Sequence, residues 1–513
     1  MNFPIDKPLA LVILDGWGYS SRSQGNAIAL AHTPNYDAIC ANFPMTTLVA
    51  AGTGVGQSPE AIGNAEVGHL NIGSGRAARS EAERIQDAIR SGMFFENERL
   101  KQAFEHAAAN GRPLHLVGLL SDAGVHSSAD TLFALLRMAK QAGLNDVFVH
   151  CILDGVDVAT RSADIYVEAL EIKLADIGVG RIATLCGRYF AMDSRGNWER
   201  TARAYTMLVH AEGERSSDAV TAVRNSFLRG IADEFISPIV LESEPEVPVA
   251  RIGDGDTVIF FNHRPETMSQ LVRSLSMPDS SGSAKPMVNT VCLTEYDRSF
   301  GLPIAFESNP AGNTLTEVLT GQGVPNVKIT QSERFSHVTY FFNGGADAQQ
   351  ANEQHVLVPT PRSETAMNQP ESQSFKITDK FLSGLGAASS GVFVVNIPAA
   401  DLVAETGSLN KTIESVQFVD TCIGAIVEQV RATGGAAIIT SSHGNCEEMI
   451  NAATGDINYL STSNPVPLHL VMDDLNGLAL RDGGTLADVA PTILAMLNIE
   501  KPAEMTGSDL RIV

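Results

Sequence analysis

Positive charge is scarce in this sequence: 36 Lys and Arg stand against 59 Asp and Glu, a formal net charge of −23 at pH 7. The deficit is spread along the chain rather than gathered in a tail. It argues against nucleic acid or an anionic membrane as partner, since both attract basic patches. A phosphate or carboxylate ligand would need a local arginine cluster or a metal to reverse the field. Paired cysteine spacing is also missing. Cys40, Cys151, Cys186, Cys292, Cys422 and Cys446 are scattered, mostly in apolar runs, which favours buried free thiols over disulfides. No apolar stretch reaches the ~20 residues that span a bilayer. Met1 to Pro8 lacks the pattern of a signal peptide, so a cytoplasmic protein is expected. Repeats, heptads and long disordered tracts are absent as well; the segment Pro278–Pro286 (PDSSGSAKP) reads as a flexible surface loop.

What is present is ordinary for a globular protein: 44% apolar and 19% charged residues over 513 positions, room for two or three domains. Short apolar runs alternate with helical periodicity, the pattern of an α/β protein with parallel sheets. Strands are expected at Leu9–Leu14, Leu114–Leu119, Val147–Leu153, Ile182–Leu185, Val258–Phe261, Val392–Val395, Ala437–Thr440 and Leu468–Met472. Amphipathic helices are expected at Asp130–Ala142, Ala163–Ile177, Trp198–Ala211 and Leu409–Ala432. Several strands run into polar clusters: Asp15-Gly16, Asp122 to His126, Asp154 to Asp157, Asn262 to Arg264, and Ser441-Ser442-His443. Open α/β sheets bind ligands there, beyond the carboxyl ends of strands.

The run Gly63-Asn64-Ala65-Glu66-Val67-Gly68-His69-Leu70-Asn71 closely resembles the nucleophile segment of the cofactor-independent phosphoglycerate mutases, which reads Gly-Asn-Ser-Glu-Val-Gly-His-Leu-Asn. The resemblance continues in order through LVILDGWG at Leu11–Gly18, GLLSDAGVHS at Gly118–Ser127, LDGVDVATRS at Leu153–Ser162, GRYFAMD at Gly187–Asp193 and FNHRP at Phe261–Pro265. ERFSHVTYFFNGG at Glu333–Gly345, NPVP at Asn464–Pro467 and the ending Arg481–Gly507 complete it. It implies an alkaline-phosphatase-like parallel-sheet domain (1–78 and 312–513) with a second α/β domain, the substrate-binding one, inserted at 79–311. It also implies phosphoryl transfer between the hydroxyls of glycerate through a phosphoserine held by two divalent ions, usually manganese.

Residue by residue, the resemblance is incomplete. The serine position is Ala65, and a methyl group cannot accept a phosphoryl group. Of the metal ligands Asp15, Asp401 and His443 remain, Glu405 stands at a histidine position, and Ser442 and Ser461 replace an aspartate and a histidine. Manganese or another divalent ion is the implied cofactor, on a degenerate ligand set. On the substrate side His126, Asp157, Arg188 and Arg264 match, and Arg334 stands where a lysine is usual. Arginine positions are lost at Val156, Ser194 and Thr267, with Arg195 beside the second as a partial substitute.

Plainer readings exist for most of these residues. Asp15 can cap a turn. Asp401 and Glu405, four apart, make a solvated helix face when taken as an isolated pair. His443 can be a hydrogen-bonded structural histidine, and the arginines and acids can be salt bridges between loops. The glycine-rich stretch around His69 reads as a loop kept for its backbone path, and Cys446 has no spacing that supports a nucleophile. The expectation is therefore a mutase-like protein without the phosphoserine mechanism that binds a small phosphorylated or carboxylated metabolite. The alternatives are a metal-dependent phosphatase or transferase with redirected chemistry, and an active mutase interconverting 2- and 3-phosphoglycerate.

Overall fold

The computed structural model describes residues 7–512 except 159, 195, 266, 279–284, 308–309, 347, 361–369, 388–389, 452–453 and 476. Arg195, Met1 to Asp6 and most of the Pro278–Pro286 segment thus lie outside the described residues. The chain divides into two compact units, one of residues 1–80 with 309–513 and the other of residues 81–308.

In the first unit an eight-stranded sheet runs in the order Glu353–Val358, Asn326–Gln331, Gly391–Asn396, Pro8–Ile13, Ala436–Thr440, Val466–Val471, Met45–Val49 and Gly484–Thr485. The first five strands are parallel. Val466–Val471 then turns antiparallel to both its neighbours, so the sheet is mixed rather than wholly parallel. Strand alternation sends Leu9, Leu11 and Ile13 into one core and Ala10, Val12 and Leu14 into another. A strand buried on both faces reads as an unbroken apolar run, which is why the sequence marks it so clearly.

The second unit repeats the scheme. Its sheet places Asn289–Cys292, Thr257–Phe260, Leu114–Leu120, Val147–Leu153 and Arg181–Gly187 side by side and parallel. Ile239–Glu244 adds antiparallel to the last of these. Leu114, Leu116 and Leu120 enter one core while Val117 and Leu119 enter the other.

The stretch around His69 is a helix, Ala65–Ser74, and not the glycine-rich loop the sequence suggests. Asn64 caps it by accepting from the Val67 amide at 3.0 Å, and Gly75 ends it at φ +64°. Its glycines are packing residues: a Cβ on Gly68 would lie 2.2 Å from the Ser442 carbonyl oxygen. All six cysteines are free; five are buried and Cys40 is exposed.

Candidate functional site

Two clusters of the expected residues form, one in each unit, and each lies beyond the carboxyl ends of adjacent parallel strands. In the first unit Asp15 follows Pro8–Ile13, Arg334 follows Asn326–Gln331, Asp401 lies in the helix Ala399–Ala404 after Gly391–Asn396, and His443 follows Ala436–Thr440. The helix opened by Ala65 packs on this cluster, with Gly63 against the His443 side chain and Gly68 against Ser442.

The solvated-face reading holds for Glu405, whose side chain is 52% exposed, and is overturned for Asp401. Asp401 is wholly buried, and both carboxylates bind the Arg334 guanidinium, whose Nη2 lies 2.7 Å from Asp401 Oδ2 and 3.2 Å from Glu405 Oε1. Arg334 Nε lies 3.4 Å from Asp15 Oδ2. Arg334, grouped from the sequence with the substrate residues, is thus placed among the metal positions, because its strand belongs to this sheet. Asp15 is also buried and does more than cap a turn. Its Oδ2 accepts from Asn396 Nδ2 at 2.8 Å and its Oδ1 accepts from Ser442 Oγ. Asp401 Oδ1 accepts from His443 Nε2 and from Asn445 Nδ2, each at 3.1 Å.

Charge follows from this geometry. Burial pushes the Asp401 carboxyl up, but the His443 and Arg334 cations outweigh it and hold the group below the ordinary carboxylate range. Burial opposes the His443 imidazolium, yet Asp401 and then Asp15 raise its pKa above the usual value. Glu405 is raised by burial and by Asp401. The buried core of the cluster thus sets the carboxyl groups of Asp15 and Asp401 against the Arg334 guanidinium and the His443 ring.

A divalent ion does not fit this arrangement. A pair of such ions needs anionic oxygens and imidazole lone pairs that are open to them. Here a guanidinium already engages all three carboxylates, His443 Nε2 is committed to Asp401, and the positions of three further ligands hold Ala65, Ser442 and Ser461. Among the described residues no group of three or more His, Cys, Asp or Glu side chains is arranged to hold a metal.

In the second unit His126, Asp157, Arg188 and Arg264 come together, after Leu114–Leu120, Val147–Leu153, Arg181–Gly187 and Thr257–Phe260 respectively. Arg188 Nη1 lies 2.7 Å from Asp154 Oδ1 and 2.5 Å from Asp157 Oδ2, and its Nη2 donates to His126 Nε2 at 2.8 Å. His126 Nε2 must then be the unprotonated nitrogen, and Nδ1–H faces Thr267 Oγ1 at 3.2 Å. Burial, then Arg188 and Arg264, hold His126 well below its usual pKa, so it is neutral. The Thr267 hydroxyl thus takes a structural role at a position where the resemblance expects an arginine. Val156, at another, is exposed. Asp154 was missed as a partner of Arg188, although its strand-end position in the Asp154 to Asp157 cluster marks it. Asn396, Asn445 and Ser442 were missed as donors to the buried acids, since amides and hydroxyls carry no charge pattern to read.

Residues 85–298 match the family described as BPG-independent PGAM N-terminus. A 2,3-bisphosphoglycerate-independent phosphoglycerate mutase of Desulforudis audaxviator is 44% identical over 507 residues, 98% of this chain and 99% of the relative. One from Clostridium perfringens is 42% identical over the same shares. The crystal structure of Leishmania mexicana phosphoglycerate mutase at low cobalt concentration superposes with a TM-score of 0.85 at 28% identity, covering 100% of both chains. With relatives this similar along almost its whole length, the chain belongs to the 2,3-bisphosphoglycerate-independent phosphoglycerate mutase family.

Proposed function

We propose that this chain is a family member that does not run the phosphoserine mechanism, and that its inserted unit binds a small phosphorylated or carboxylated acid. The observation that carries the first half is Ala65. It opens the helix that packs on Asp15, Ser442 and His443, where the family's mechanism needs a hydroxyl oxygen, and among the described residues no metal-ready ligand set lies beside it. The second half rests on Arg188 and Arg264 gathered around neutral His126, with Asp157 among them. Guanidinium groups receive acid oxygens by charge-assisted hydrogen bonds, and a carboxylate between them receives a hydroxyl, a pairing suited to a hydroxy acid or its phosphate ester. In this reading the first unit is a phosphatase-like domain without its chemistry, and the second is a ligand domain.

Retained mutase activity is the reading that the comparisons support more directly, because relatives 41–44% identical over nearly the full length carry that name. Ala65 stands against it. A redirected metal-dependent phosphatase or transferase would need an ion among Asp15, Asp401, Glu405 and His443, the place Arg334 holds.

The deciding experiment is a coupled mutase assay with added manganese, run beside calorimetric titration of 3-phosphoglycerate into the wild type and Arg264→Gln. Binding without turnover, weakened in the variant, is expected. Turnover that disappears in Asp15→Asn or His443→Asn establishes the active reading instead, and no binding at all removes the ligand half of the proposal.

A further inference from the structure

Arg334 does more in the first unit than pair with one acid. Its side chain is 12% exposed and its guanidinium contacts Asp401, Glu405 and Asp15, two of them wholly buried. A buried carboxylate without a counter-charge is costly, so a cation at this point stabilises the folded chain. A second feature marks the same point as a cation position. His69 is fully buried, and its Nδ1–H donates to the Ala65 carbonyl at 2.8 Å. In the neutral tautomer that this bond selects, Nε2 carries a lone pair. That nitrogen has no hydrogen-bond partner and lies 3.8 Å from Asp15 Oδ1. A lone pair beside a carboxylate oxygen repels it unless a cation lies near both.

We propose that Arg334 is the built-in cation of this centre: its guanidinium stands in for a divalent ion, and removing it uncovers a cation site formed by Asp15, Asp401, Glu405 and His443, with His69 beside it. The inference rests on the reading of this centre as metal-free, and not on ligand binding by the other unit. Its consequence for the folded protein is specific. The wild type is indifferent to chelators and to divalent ions, because its counter-charge is covalently attached. A variant with a neutral side chain at this position is short of one cation and takes manganese, a metal suited to carboxylate and imidazole donors.

The test compares the wild type and Arg334→Gln by thermal unfolding in EDTA and in manganese chloride, with elemental analysis after desalting. The wild type is expected to carry no manganese and to unfold at the same temperature in both solutions. Arg334→Gln is expected to unfold at lower temperature in EDTA and to recover several degrees in manganese, with stoichiometric metal retained. If Arg334→Gln folds only when manganese is present, the proposal is supported more strongly still. Stoichiometric manganese on the wild type overturns it. So does an Arg334→Gln protein that ignores manganese, or one that fails to fold with or without it. None of these readouts involves turnover or 3-phosphoglycerate, so failure of the ligand-binding proposal would leave them unchanged.

Discussion

Ser442 Oγ donates to Asp15 Oδ1 and faces His443 Nδ1 at 2.9 Å. A hydroxyl has one proton, and giving it to Asp15 leaves only a lone pair for His443. His443 must then present Nδ1–H to the serine while Nε2–H points to Asp401. Both ring nitrogens are protonated, which agrees with the raised pKa of this histidine. The resemblance expects an aspartate in place of Ser442. The serine turns a would-be metal ligand into a link that orders protons across the cluster.

Ser442→Ala removes the donor to Asp15 and the acceptor for His443 at once. Both atoms are buried, so the loss is expected at about 1–3 kcal/mol for each group left unsatisfied. Urea unfolding of the variant against the wild type measures it. An unchanged midpoint would show that the two groups find other partners.

Ala65→Ser restores the missing oxygen and nothing else. Arg334 still engages the three carboxylates and Ser442 and Ser461 still replace ligands, so no metal stands ready to stabilise the alkoxide. A coupled mutase assay in manganese is expected to show no turnover above background. Activity from this single change would mean that the centre was one atom short of working.

The sequence made the scaffold legible where burial is two-sided. Val147–Leu153, Ala163–Ile177 and Leu409–Ala432 have the bounds expected from their apolar patterns. The antiparallel entry of Val466–Val471 was not legible, since an apolar run carries no direction. The helix Ala65–Ser74 was hidden because Gly68 and Gly73 lower helix propensity. A Cβ on either would collide with a carbonyl oxygen, of Ser442 or of Phe342. Asp401 looked solvated because a local pair says nothing of an arginine from a distant strand; Glu405 is exposed as read. Asp15, His126, Asp157 and Arg264 were legible as polar clusters at strand ends, whereas Arg188, Asp401 and Glu405 were legible only through the family resemblance.

Stability should fall as the solution turns acid. Burial holds His263 and His469 down to about 4, and lowers His69, His126 and His150 below their ordinary range. Unfolded histidines titrate near 6.5, so the unfolded chain binds more protons once pH drops below that value. Their contribution is complete above about 6.5 and shrinks, by up to about 1.4 kcal/mol per pH unit for each, until the folded forms also protonate. His443, with its raised pKa, works in the opposite sense but is one group against five. Thermal unfolding from about pH 7.5 to about pH 5 should show a falling midpoint, with a shallower slope in His469→Gln. A flat profile would contradict the neutral burial of these rings.

A buried ion pair on the edge of the first sheet gives the largest expected effect of a single change. Lys328 Nζ lies 2.7 Å from Glu353 Oε1 across adjacent strands, with both side chains at most 1% exposed. Asn343 bonds to both, His355 Nε2 lies 2.7 Å from Glu353, and the ammonium sits 4.7 Å from the centroid of the Phe342 ring. Burial pushes Lys328 down to about 8; Glu353, despite burial, is held low by His355 and Lys328. Lys328→Met leaves a buried carboxylate with no lysine partner, a loss of about 3–5 kcal/mol. Replacing both residues, Lys328→Met with Glu353→Leu, removes the charge that causes the penalty and should recover most of the stability. Guanidinium unfolding of the single and double variants decides the point. Equal losses in both would mean that packing, not the stranded charge, sets the cost.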